Sequence, residues 1–162
     1  MPTAQVIGVD LGGTAIKLVR IRADGTVRAE AQWPTPQPAV PGAVTMALCE
    51  AIEQIDPEHA AEAVGIGLPG PMDAAARVAR VCINLPGWED VPLADWLESR
   101  INRQVTLAND GNCAVVGEAW LGAARGVEDV VLQPRSLCAG RQCSERERWD
   151  VWGGQMEGLE RG

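Results

Sequence analysis

This chain has no phenylalanine and no tyrosine, one lysine (Lys17) against thirteen arginines, and one histidine (His59). Basic charge is scarce overall: 14 Lys and Arg against 22 Asp and Glu leave a net charge of −8. That balance argues against nucleic acid or an anionic membrane surface as the main partner, because both reward basic surfaces. No apolar run approaches the roughly 18 residues a spanning helix needs, and the N-terminus lacks the charged, apolar, small-residue succession of a secretory leader. The cysteines (Cys49, Cys82, Cys113, Cys138, Cys143) are odd in number and scattered. They argue against a disulfide frame and predict reduced thiols in the cytoplasm. No repeat of about 20–50 residues runs through the chain.

What is present suffices for one domain: 162 residues, 46% of them hydrophobic. Residues 4–10, 15–22 and 25–32 read as strands, the last two separated by the turn signal "ADG". "WPTPQPAVPG" reads as a proline-punctuated connector. Val44, Leu48, Ile52 and Ile55 then recur at helical spacing, with Pro41 where a first helical turn tolerates it. Residues 63–68 form a short buried strand. Leu93, Trp96, Leu97 and Ile101 mark an amphipathic helix opened by Pro92. A strand at 104–108 precedes a helix whose apolar side carries Cys113, Val116, Trp120 and Leu121, and "EDVVL" is a last strand. The order predicts an α/β layer architecture with a hairpin-rich start. From residue 133 no period of 2 or 3.6 is sustained, and five of the thirteen arginines crowd together. Residues 133–162 are expected to be a tail with little fixed structure, "WDVW" being the one fragment with the texture of a buried element.

Three loops carry candidate chemistry. In "VIGVDLGGTAIKLVRI" a strand ends on Asp10 and runs into Gly12, Gly13 and Thr14. Glycines let backbone N–H groups approach an anion closely, and Thr14 adds a hydroxyl. An acid there would repel phosphate unless a divalent cation sat between them, and Mg²⁺ binds few carboxylates together with phosphate oxygens. The loop is neither a Walker A sequence nor GxGxxG. It equally suits a β-hairpin turn, for which Gly-Gly is a signal. In "LANDGNCAVVGEAW", Asn109 and Asp110 fall between a strand and a helix. They suit plain N-capping, or a carboxylate beside a helix N-terminus that accepts a proton from a hydroxyl. "PGPMD" and "NLPGW" bring Gly70, Asn84, Gly87 and Trp88, as ordinary loops or as the wall of a polyol pocket. His59 reads as a solvated surface residue. Cys138 and Cys143 lack the second pair a metal site needs.

Taken in order and spacing, these stretches resemble the ROK family (repressor, open reading frame, kinase), specifically its glucokinase-type sugar kinases, over residues 5–132. The resemblance implies a ribonuclease H-like fold of the actin and hexokinase type, a mixed sheet with flanking helices, of which residues 1–132 would be the N-terminal lobe. It implies ATP and Mg²⁺ as cofactors and a sugar, glucose by likeness to that branch, phosphorylated at its 6-hydroxyl. Asp110 would be the general base. Asn109, Gly70, Asn84 and Glu118 would bind the sugar. Gly12, Gly13 and Thr14 would hold phosphate, with Asp10 toward Mg²⁺. Lys17 is expected to support the loop from the outgoing strand rather than touch the γ-phosphate. A homodimer is left open.

The departure is as informative. After Leu132 the family continues with a second glycine-rich phosphate loop, a sugar-binding glutamate and histidine, and a Cys-x-Cys-Gly-x-x-Gly-Cys zinc motif; residues 133–162 carry none of them. The expectation is a frameshift, truncation or gene-model error in the tail, no zinc site, and no measurable kinase turnover. Alternatives are a non-catalytic sugar- or nucleotide-binding fragment, a folding-incompetent fragment, and the remnant of a ROK-type transcriptional regulator. The last is disfavoured because the first strand begins by residue 5, where such regulators carry a winged helix ahead of it.

Overall fold

The computed structural model describes residues 4–82, 84–127, 130–134 and 149–153. The elements are β1 (Gln5–Leu11), β2 (Ala15–Arg22), β3 (Val27–Pro34), α1 (Pro41–Ile55), β4 (Ala61–Leu68), β5 (Ala79–Val81), β6 (Glu89–Val91), α2 (Leu93–Ile101), β7 (Gln104–Asn109), α3 (Asp110–Leu121), β8 (Val130–Pro134) and β9 (Trp149–Gly153). They fall into two compact units, Met1–Asp110 and Gly111–Gly162. No helix of the described residues is long and apolar enough to cross a membrane.

The first unit is built on a mixed five-stranded sheet of order β3-β2-β1-β4-β7. β1, β2 and β3 form an antiparallel meander, while β4 and β7 join β1 in parallel. A parallel neighbour needs a crossover, and α1 and α2 supply the two that lead into β4 and β7. Alternation decides the faces. Ile7, Val9 and Leu11 of β1, Ile16 and Leu18 of β2, Val64, Ile66 and Leu68 of β4, and Val105 and Leu107 of β7 are all buried. They pack with Val44, Leu48, Ile52 and Ile55 of α1 and Leu93, Leu97 and Ile101 of α2 in one core. Asp10 and its register partner Lys17 take the alternate positions of β1 and β2 and stay about half exposed.

Two polar clusters fasten the crossovers. Asp56, fully buried at the end of α1, accepts the Ala60 and Ala61 N–H groups at 3.0 and 2.9 Å, pairs with Arg103 at 3.2 Å and is bonded by Arg20. Burial alone would raise its carboxyl, but these donors hold it below the usual range. Arg77 presents a fork to Glu98 at 2.8 and 2.6 Å and donates to the Val105 carbonyl at 3.1 Å, while Glu98 accepts the Val105 N–H at 2.8 Å. This joins the β4–β5 loop, α2 and β7. Asn102 ends α2 in the left-handed region at φ 50°, a conformation asparagine tolerates.

Several expectations need correction. β5 and β6 form a hairpin where the sequence pattern predicts no element; three-residue strands are too short to show a period. Trp96 is 36% exposed and Ala94 is buried in its place. Trp88, read as a possible pocket wall, is 1% exposed and donates its indole N–H to the Ala39 carbonyl at 2.8 Å. It is a core residue. In α3 no side chain is buried, and Val116, Trp120 and Leu121 are 66%, 46% and 48% exposed. Within the second unit, β9 pairs antiparallel with β8, Pro134 opposite Trp149 and Val130 opposite Gly153. The stretch expected to lack fixed structure therefore contains a strand at the "WDVW" fragment, and its first two residues, Gln133 and Pro134, belong to β8; residues 135–148 and 154–162, Cys138 and Cys143 included, lie outside the described residues.

Candidate active site

The parallel strands carry their last residues to one edge. Asp10 is in register with Gly67, and Gly67 with Ala108, so Asp10 stands two strand spacings, about 10 Å, from the residue that precedes Asn109 and Asp110. Carboxyl ends of parallel strands are where open α/β sheets bind ligands, because the connecting loops diverge there.

The glycine turn sits at this edge between β1 and β2. Gly12 N–H donates to the Ala15 carbonyl at 3.0 Å, closing it as a hairpin turn. The turn also has partners from outside the hairpin: Thr35 and Gln37, on the connector after β3, donate to its carbonyls. Lys17 Nζ lies 3.8 Å from Asp10 Oδ2, on the neighbouring strand. Both are half exposed, so the pair contributes little to stability. Its effect is on charge, because Lys17 offsets the carboxylate beside the glycine turn.

Asn84 reaches the same turn. Its backbone carbonyl is 3.9 Å from where a Cβ on Gly13 would stand, and its residue is exposed. Gly70 is in tighter quarters: a Cβ there would lie 1.9 Å from the Val81 carbonyl oxygen, so the β4 exit loop packs backbone to backbone against the end of β5. Asn109 Nδ2 donates to the Gly70 carbonyl at 3.4 Å. Cys82 follows β5 and is 3% exposed. Burial pushes its thiol up to about 11, and the negative field of Asp110 adds to the rise. Asp110 is thus close enough to Cys82 to act on it through space.

The structure brings together, within the first unit, Asp10, Gly12, Gly13, Thr14, Lys17, Gly70, Asn84, Asn109 and Asp110. Glu118 belongs to the second unit, where its carboxylate accepts the Ala123 N–H at 2.8 Å. His59 is exposed and faces Glu53 at 3.2 Å. Thr35, Gln37 and Cys82 were missed. Thr35 and Gln37 bond their partners across 23 and 24 residues of chain, and Cys82 feels the field of an Asp110 far along the sequence, so no local spacing signals either relationship.

Among the described residues no group of three or more His, Cys, Asp or Glu could hold a metal ion. A lone carboxylate such as Asp10 suits Mg²⁺ only where water and phosphate oxygens supply most of its ligands. The residues present fit that arrangement and not a protein-only metal centre.

Residues 6–134 match the ROK family. This chain belongs to the ROK family. A glucokinase of Thermotoga maritima is 37% identical over 131 residues, 81% of this chain and 41% of that protein. An N-acetyl-D-glucosamine kinase of Salmonella newport is 35% identical over 114 residues, 70% of this chain and 37% of that protein. The ROK glucokinase of Streptomyces griseus, solved with glucose and AMPPNP, has a TM-score of 0.73 and 32% identity, covering 80% of this chain and 40% of that one. The chain thus spans about two fifths of the length of the relatives it matches. The mixed five-stranded α/β sheet is the actin- and hexokinase-like fold of these ROK sugar kinases.

Proposed function

We propose that this chain is the first lobe of an ATP-dependent hexose kinase, with Asp110 as general base. The observation that carries the reading is the convergence of the glycine turn, Asn84, Gly70, Asn109 and Asp110 on the carboxyl edge of β1, β4 and β7. Phosphoryl transfer asks the protein mainly for positioning and charge neutralisation. The turn would cradle the terminal phosphate of ATP, and Asn84 and Asn109 would orient the sugar. Asp110 takes the proton of the attacking hydroxyl as the new oxygen–phosphorus bond forms, the bond to the bridging oxygen breaks, and ADP leaves. Asp10, partly offset by Lys17, would hold Mg²⁺ through water, the ion neutralising phosphate charge. Glucose is favoured by the glucokinase relatives and N-acetylglucosamine is the closest competitor.

A first lobe acting alone would supply only part of a site that closes between two lobes. Each donor missing from such a site costs roughly 10²–10³ in rate. The family match runs two residues past Leu132, so we read residues 135–162 as a segment unrelated to the kinase fold; nucleotide sequence downstream of codon 134 that encodes a second lobe in another frame would support this.

Calorimetric titration with glucose, N-acetylglucosamine and Mg–AMPPNP, beside a coupled assay, tests the reading. Millimolar or tighter binding of one sugar and of nucleotide is expected, with turnover below a few per cent of a full-length relative. Failure of the wild-type chain to bind any sugar or nucleotide would overturn the site; high turnover would overturn the need for a second lobe.

A further inference from the structure

The connector after β3 does more than lead into α1. Thr35 Oγ1 donates to the Gly12 carbonyl at 2.7 Å, Gln37 Nε2 to the Gly13 carbonyl at 2.9 Å, and the Thr35 N–H to the Thr14 carbonyl at 3.0 Å. Three successive carbonyls of the glycine turn are therefore held by one segment. Hairpin closure does not require this, since the Gly12–Ala15 hydrogen bond and the Leu11–Ile16 register already provide it.

In a planar trans peptide the carbonyl and the next residue's N–H point in opposite directions. Holding the Gly12 and Gly13 carbonyls against the connector turns the N–H groups of Gly13 and Thr14 away from it, side by side. Successive N–H groups aimed one way form an anion-binding concavity. The two donors are unequal. Thr35 is 4% exposed, so releasing its hydroxyl would leave a buried group unsatisfied, whereas Gln37 is exposed and water can replace its bond. Both donors are neutral, so they orient the turn without competing for the anion.

We propose that Thr35 and Gln37 are positioning residues for the phosphate loop, aiming the Gly13 and Thr14 amides at the terminal phosphate of the nucleotide. The proposal rests on the kinase reading above and extends it to two residues outside the recognised loop.

The test is ¹⁵N NMR of the full chain as wild type, Thr35→Val, Thr35→Ser and Gln37→Met, titrated with Mg–ATP and separately with glucose. Thr35→Val is expected to weaken Mg–ATP about five- to tenfold, the loss of one hydrogen bond. It should also lower the Gly13 order parameter from about 0.85 to below about 0.6. Thr35→Ser should restore both, and glucose affinity should not change. Gln37→Met should loosen Thr14 chiefly and weaken Mg–ATP about twofold, as an exposed bond would. Wild-type order and wild-type Mg–ATP affinity in Thr35→Val would overturn the positioning role while leaving the kinase reading standing. If Thr35→Val does not fold, the same result in Gln37→Met has that force. No Mg–ATP response in the wild-type chain would overturn the kinase reading and this proposal with it.

Discussion

Asn109 donates its side-chain N–H to the carbonyl of Gly70 across 3.4 Å, tying the last residue of β7 to the loop that leaves β4. The two parallel strands end in one polar contact, and Asp110 follows it directly. The position of the candidate base therefore depends on a loop that has no room for a side chain.

Gly70→Ala tests that dependence. The new Cβ would fall 1.9 Å from the Val81 carbonyl oxygen, which is backbone and cannot swing aside. The loop and the end of β5 must separate, at a cost of about 1–3 kcal/mol typical of overpacking. Gly42→Ala is the control, because nothing lies within 4 Å of its added methyl. Urea denaturation should show the first variant clearly destabilised and the second within about 0.5 kcal/mol of the parent. Equal midpoints for parent and Gly70→Ala would refute the close packing.

Among the described residues Trp88 is the largest fully buried side chain, and its indole bonds the Ala39 carbonyl. Trp88→Ala should destabilise the chain by about 3–5 kcal/mol through the cavity it leaves. Trp88→Phe keeps much of the volume but strands the carbonyl, and about 1–3 kcal/mol is expected. Tryptophan fluorescence cannot follow the loss of the residue itself, so circular dichroism melts are the measure.

Acid should weaken the fold through Glu98. The side-chain hydrogen bonds from Arg77, helped by the Val105 N–H, hold its carboxyl down to about 2. A carboxyl depressed on folding stabilises above its unfolded value, near 4.3, and that stabilisation is lost as the pH falls toward the folded value. Thermal midpoints should drop between about pH 4.5 and about pH 2, and Glu98→Gln should flatten that part of the profile. Identical pH profiles would show that the cluster contributes nothing.

Thiol chemistry should distinguish the cysteines. Cys113 is exposed, whereas burial raises the Cys82 thiol to about 11 and raises Cys49 as well. The thiolate is the reactive form, so brief iodoacetamide treatment near pH 8 should label Cys113 and spare Cys82 until the chain is denatured. Peptide mapping by mass spectrometry reads the order directly. Labelling of Cys82 in the native chain at the rate of Cys113 would contradict its burial.

Much of the fold was legible because its signals are local. Ile7, Val9 and Leu11 alternate along one strand, and Val44, Leu48, Ile52 and Ile55 repeat along one helix; each pattern lies within a dozen residues. The errors share a cause. Trp88 reads from the sequence as a residue of an ordinary loop or of a pocket wall because an aromatic after Pro-Gly looks like a loop residue, and the Ala39 carbonyl that receives it is 49 residues earlier. Trp96 was placed in the core by spacing, yet Ala94 and Leu97 fill that side of a nine-residue helix. β5 and β6 were invisible because neither is long enough to complete two alternations.

The amino-acid order by itself determined the kinds of chemistry available: an acid before two glycines and a threonine, and an Asn-Asp pair at a strand-to-helix step. It determined the element types too, since hydrophobic period is written in neighbouring residues. Only the tertiary structure decided that Asp10 and Asp110 share one edge, because that follows from β1, β4 and β7 running parallel in register. It alone decided that Thr35 holds Gly12. Strand pairing and side-chain hydrogen bonds close in space over long stretches of chain, and a one-dimensional pattern carries no record of which distant residue will supply the partner.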